Sequence, residues 1–165
     1  MKFNYYGFKA IYVHEMNRFL RTVGQSLLSP VISTSLYFVV FGSVIGGYIQ
    51  KIDGVSYGSY IVPGLLMLTL LTQSISNTSF GIFFPKLNGT IIEILAAPIS
   101  TLETVLAFVG AGATKTLIIG AVIYATASFF AEVTVEYPML MIFLLVLVSF
   151  TFALFGFLIG VVSKN

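Results

Sequence analysis

Met139-Leu-Met-Ile-Phe-Leu-Leu-Val-Leu-Val-Ser-Phe-Thr-Phe-Ala-Leu-Phe-Gly-Phe-Leu-Ile-Gly-Val-Val162 is the stretch whose reading decides the fold. It contains no charged residue and is long enough for a helix to cross a bilayer, which takes roughly 20 apolar residues. Three further stretches reach that length, at residues 27–48, 60–84 and 104–131. Pro30 falls in what should be the first turn of the first span, where its missing N–H costs little. Gly46-Gly47 and then Gln50 to Gly54 close that span, and Pro85 stops the second. Strands of alternating polarity about 10 residues long are absent, which excludes a transmembrane barrel. Composition points the same way: of 165 residues 58% are hydrophobic and 8% charged, against about 25% charged in soluble domains. No soluble core of this size hides so much apolar area. The expected fold is all-α, a polytopic helical membrane protein forming a single transmembrane domain over residues 1–165.

Orientation follows from the basic residues, which are enriched in cytoplasmic loops. Lys2, Lys9, Arg18 and Arg21 precede the first span, Lys86 lies in the central loop, Lys115 just beyond it, and Lys164 near the end. Only Lys51, opposite Asp53, falls in the first loop, and the third loop from Glu132 to Pro138 has none. Both termini and the central loop are therefore expected in the cytoplasm. Lys115 then sits about one turn, ~5 Å, inside the third span. It reads as a lysine that snorkels to the interface, with a place in a polar route as the alternative. Residues 9–25 mix Ile11, Tyr12, Met16, Phe19, Leu20 and Val23 with His14, Glu15, Asn17, Arg18 and Arg21. That pattern predicts an interfacial helix lying in the headgroup plane, in preference to a solvated cytoplasmic helix.

Most short motifs fail on spacing. His14-Glu15 begins an H-E-x-x-H pattern, but Arg18 takes the second histidine position; with one histidine and no cysteine in the chain, a metal site is not expected. Gly110 to Thr116 lacks the glycines of a phosphate loop, so this chain is not expected to bind ATP. A net charge of +2 is too weak a bias to imply nucleic acid. The first 25 residues hold no apolar run with a cleavage site, so no signal peptide is expected there. The sequons at Asn77 and Asn88 fall in or on the cytoplasmic side of the membrane and are discounted. Gly42 to Gly46 and Gly156 to Gly160 are G-x-x-x-G patterns, read as helix packing before self-association. The second span carries Gln73, Ser76 and Asn77 at helical spacing. Polar groups at that depth need partners or water, so they read as interhelical glue or as the wall of a substrate path.

Residues 88–100, Asn-Gly-Thr-Ile-Ile-Glu-Ile-Leu-Ala-Ala-Pro-Ile-Ser, are more than a turn. Asn88-Gly89 permits a reversal, and Thr90 with Glu93 matches a capping box. Ile91, Ile92, Ile94 and Leu95 line a short amphipathic helix, and Pro98 ends it. Ser100 to Glu103 repeats the capping signature to open the next helix. An apolar helix this small, held at the cytoplasmic surface, calls for a partner; the plain alternative is a helix resting in the interface.

The run Gly89 to Ser100 followed by Glu103 resembles the central signature of ABC-2 type transporter membrane subunits. Glu15-x-x-Arg18-Phe19, Gln25, Pro30, Tyr37 to Gly42 and Tyr60-Ile-Val-Pro-Gly64 are similar to the family's N-terminal helix and first two spans. The resemblance implies a permease subunit in the cell inner (cytoplasmic) membrane, multi-pass, that exports an amphipathic substrate such as a lipid-linked saccharide or a drug. It implies pairing with a second copy or a related permease, and with an ABC ATP-binding subunit that carries ATP and Mg; this chain itself is expected to bind no cofactor. The coupling contacts to that subunit would come from Glu15, Arg18, Arg21, Gly89, Thr90, Glu93, Leu95, Pro98 and Glu103. Family members continue with a loop and two more spans, so the resemblance implies that this sequence, ending at Asn165, is C-terminally truncated. The alternative is a non-transporting scaffold or an inactive truncated paralogue.

Overall fold

The structure, a computed structural model, describes residues 3–45, 51, 52, 54–131 and 135–163, less the side chains of residues 42–45 and 51. Lys2, the Gly46-Gly47 pair, Tyr48, Gln50, Asp53, Glu132, Lys164 and Asn165 lie outside the described residues, and so does the Gly42 to Gly46 pattern as a pair. In chain order the elements are α1 (Tyr5–Arg21), α2 (Val23–Tyr37), which continues as π-helical turns over Phe38–Ile45, the two-residue strands β1 (Lys51–Ile52) and β2 (Val55–Ser56), α3 (Tyr57–Leu87), α4 (Ile91–Ala96), α5 (Thr101–Ala127) and α6 (Pro138–Val162). The strands form only a small antiparallel clasp, with Ile52 opposite Val55. Among the described residues, four helical stretches are long and apolar enough to cross a membrane: Val23–Phe41, Tyr57–Leu87, Thr101–Ala127 and Pro138–Val162.

Several boundaries differ from the sequence expectation for local reasons. Asn4 caps α1 by accepting the Gly7 N–H at 3.1 Å, so the helix starts ahead of Lys9. It breaks at Thr22, whose hydroxyl turns back onto the Arg18 carbonyl at 3.2 Å. Since α2 begins directly at Val23, Pro30 lies buried well inside it rather than in a first turn. Pro85 does not stop α3. A proline removes one ladder bond without unwinding the turn after it, and the Asn88 N–H still reaches the Phe84 carbonyl at 3.0 Å. Ser100 begins α5 three residues early through a capping box with Glu103.

The most buried of the long helices is α5, with Ala107, Val109, Ala111, Ile119 and Ile123 all shut from solvent. Small residues let its neighbours close on it. Gly112 receives the Thr78 side chain, and a Cβ on Gly120 would lie 2.9 Å from Leu70, so α3 and α5 run antiparallel. α6 runs parallel to α3: Ser74 donates to the Ser149 carbonyl at 2.6 Å. Further along, a Cβ on Gly156 would lie 2.5 Å from the Ile75 carbonyl and one on Gly160 2.7 Å from that of Ser79. The Gly156 to Gly160 pattern therefore packs α6 within the bundle.

The largest correction concerns α1. It does not lie apart from the bundle; it follows α5 in the same direction. Asn4 donates to the Pro98 carbonyl at 3.0 Å, Ile11 packs with Ala107 and Phe108, Tyr12 donates to Thr114 Oγ1 at 2.9 Å, and Phe19 packs with Ile119 and Ile123. Its buried residues, Ile11, Glu15 and Phe19, recur every four positions and form one face. The wall that α1 packs on is α5, whose 27 residues extend about 40 Å, longer than a ~30 Å hydrocarbon core.

Candidate functional site

Two features stand out where α1, α3, α4 and α5 meet. The first is the short helix α4. Gly89, at φ +74°, makes the reversal after α3 in a conformation that costs glycine little. Thr90 does not form the expected capping box with Glu93. A side-chain cap requires extended backbone at the cap residue, but Thr90 is helical at φ −68°, ψ −12°. Its hydroxyl donates instead to the Pro85 carbonyl at 3.3 Å. The Glu93 carboxylate is thereby left free in solvent. Ala97 turns extended at ψ 149°, as a residue before proline prefers, and Pro98 follows.

One face of α4 is anchored and the other is bare. Ile94, with Ile99, packs against the buried Ile11, Ile82, Ala107 and Phe108. On the open side Ile92 is 69% exposed, Leu95 76%, and Leu102 at the start of α5 75%. Exposed Glu93 stands among these apolar side chains, and exposed Gly89, Thr90 and Pro98 flank them. The result is a rigidly mounted apolar knob with one carboxylate.

The second feature is a buried ion triad. Glu15 on α1 and Lys115 on α5 are each 2% exposed and pair at 2.7 Å. Arg18 reaches the same carboxylate oxygen at 2.8 Å. Gly81 on α3 makes the space, since a Cβ there would stand 3.3 Å from Glu15 Oε2. The other oxygen, Oε1, has no hydrogen-bond partner among the described residues. Lys115 therefore does not reach outward for the interface; its ammonium turns inward to a carboxylate. Equally, Glu15 is not a surface contact. The two residues together hold α1 against α5.

Glu103 is also internal, 4% exposed. It accepts the Ser100 N–H at 2.8 Å and the Asn4 N–H, tying the starts of α1 and α5 together rather than facing a partner. Of the α1 residues expected at a docking surface, Arg21 is exposed and Arg18 partly so.

The polar run of α3 divides by helical face. Ser74 and Thr78 point into the bundle, whereas Gln73 and Asn77 are half-buried and Ser76 exposed on another side. Asn77 donates to Gln73 Oε1 at 3.4 Å. Gln73, with Thr69 and Thr72, lines a cavity of about 240 Å³ facing Ser29, Ser33 and Tyr37 of α2. Ser29 and Ser33 were not singled out from sequence, although their spacing of four, shared with Tyr37, was a legible signal for one polar face. Lys86, read only as a topology charge, donates to the Val161 carbonyl at 2.8 Å and the Ser163 carbonyl at 2.5 Å. It thus closes the C-terminal end of α6, where a cation is favoured. Among the described residues no cluster of three metal-ligating side chains occurs.

Comparison with known proteins follows the same lines. The family described as ABC-2 type transporter matches residues 6–165. The inner membrane transport permease YadH of Escherichia coli strain K12 is 36% identical over 157 residues, covering 95% of this chain and 61% of that relative. YadH of Escherichia coli O157:H7 and of Shigella flexneri matches to the same extent. This chain thus spans somewhat over half the length of the curated relatives it matches. No match to a solved structure was found.

Proposed function

Because the chain belongs to the ABC-2 type transporter family, we propose that it is the membrane-spanning permease subunit of an ATP-driven exporter in the cytoplasmic membrane. It moves an amphipathic substrate, of the kind of a lipid-linked saccharide or a drug, outward. It pairs with a second copy or a related permease and with a separate ATP-binding subunit, which carries ATP and Mg and performs the hydrolysis. The observation that carries this reading is α4: bare Ile92 and Leu95 around Glu93, mounted through Ile94 on the packed core. A knob of this kind suits a groove in the ATP-binding subunit, and its rigid mounting lets movement there pass into α1, α3 and α5. Arg18 and Arg21 offer a second contact, with Glu15 holding Arg18. Gln73, Ser76 and Asn77 wall the substrate path. Transmission requires the docked contacts to differ in free energy between the two states of the transporter.

The test is Glu93→Lys in the native operon, with the subunits purified together from membranes. The expected outcome is a permease that inserts and retains its ATP-binding partner, with hydrolysis no longer stimulated by substrate and export lost. Full export in this variant removes α4 from the coupling role. Recovery of the wild-type permease without any ATP-binding subunit replaces the exporter reading with that of a scaffold.

A further inference from the structure

At the end of the bundle opposite α4, two cavities of about 410 Å³ and about 360 Å³ share Tyr124, Met141 and Leu145. They form one trench along the seam of α3, α5 and α6. Its two ends differ in chemistry. The outer end is lined by Glu136, Tyr137 and Ser59; the inner end is made by Leu70, Gly120 and Ile142. Ser59 and Leu70 lie on the same helix, eleven residues and thus about 16 Å apart. The shape is that of an alkyl chain with a small head. Charge decides which head. Among the described residues no basic side chain lines the trench, and Glu136 has no ion-pair partner. An acid in a lining that also holds Tyr124 and Tyr137 favours an organic cation, which can gain from a carboxylate and from aromatic rings. A site of a few hundred cubic ångströms, mostly apolar with a few polar groups at one end, is typical of small-molecule binding.

We propose that this trench binds single-chain cationic amphipaths, with the cationic head at Glu136 and the tail running between α5 and α6 toward Gly120. The site goes beyond the exporter reading and does not depend on it, because its test needs no ATP-binding partner.

The probe is radiolabelled dodecyltrimethylammonium, titrated onto the purified full-length protein in phosphatidylcholine nanodiscs. Uncharged dodecanol serves as competitor. Saturable binding is expected to weaken about tenfold in Glu136→Gln and further in Glu136→Lys. Ala121→Phe should also weaken it by filling the tail end from the exposed side of α5, and dodecanol should compete poorly. Circular dichroism and size-exclusion profiles identify any variant that has lost its fold. Glu136 lies in a loop, so the charge variants carry the test if Ala121→Phe fails to fold. Binding unchanged in both charge variants, or dodecanol competing as well as the cation, makes the trench a crevice for lipid tails and overturns the assignment.

Discussion

Glu15→Gln should damage the protein more than Lys115→Met, and the reason lies in how many partners each group has. The Glu15 carboxylate faces two cations, Lys115 at 2.7 Å and Arg18 at 2.8 Å, whereas Lys115 has Glu15 as its only ion-pair partner among the described residues. Removing one member of a buried pair costs about 3–5 kcal/mol, because the other is left as an uncompensated buried charge. Glu15→Gln imposes that cost on Lys115, only 2% exposed, and leaves two like charges facing a neutral amide. Lys115→Met leaves Glu15 still paired with Arg18, whose side chain is 34% exposed. A pair so open to solvent compensates only in part, which puts the loss below the ~3–5 kcal/mol of a wholly uncompensated buried charge. The double variant should recover part of the Glu15→Gln loss, since no buried charge then stands alone. The assay is thermal unfolding of the detergent-purified protein, read alongside trypsin cleavage at Arg18 and Arg21, which reports whether α1 has left α5. A midpoint for Lys115→Met at or below that of Glu15→Gln, or a double variant less stable than Glu15→Gln, would refute the accounting.

Other consequences are more local. Gly156→Leu should abolish a monodisperse size-exclusion peak, because even a Cβ there meets the Ile75 carbonyl at 2.5 Å, whereas Gly64→Ala, with nothing within 4 Å, should elute as wild type. Ser100→Ala removes a capping box and should cost about 1 kcal/mol; hydrogen exchange should rise in the first turn of α5 and not in its middle. Lys86→Met deletes two bonds to carbonyls at the end of α6 and should raise exchange in the last turn of α6, with little change in melting.

What could be read from sequence followed the physical constraint that produced it. A bilayer demands long apolar helices, so the spans were visible as composition, and Ser100 to Glu103 announced a cap that forms as written. Thr90 to Glu93 has the same spelling, yet fails. Gly89 and the Pro85 carbonyl draw Thr90 into helical backbone, and residue type alone does not encode that. The triad was missed for a related reason. Glu15 and Lys115 are a hundred residues apart, and each had a satisfactory local account, one in an amphipathic helix and one snorkelling. Only the path of α1 along α5 brings them together. That path was hidden because an amphipathic helix reads identically whether its apolar face meets lipid or another helix.

The packing of α4 bears directly on how force would enter such a bundle. Ile94 shares one cluster with Ile11 of α1, Ile82 of α3 and Phe108 of α5, so a load applied to Leu95 reaches three helices at once. Apolar contact resists separation but resists sliding weakly, because dispersion is non-directional. The triad supplies what the cluster lacks: charge-assisted bonds whose geometry fixes register between α1 and α5, with Gly81 of α3 in contact. Glu103, bonded to Asn4 and Ser100, repeats that lock at the other end of α1. Pinned to α5 at two points along its length, α1 is placed to follow α5 in any displacement. Displacement of α4 would then be taken up at Thr22, where backbone at φ −112° breaks the helix before α2. Beyond that break α2 packs chiefly on α5 and faces α3 across the polar cavity, so a shift of α2 about Thr22 would change the width of that cavity.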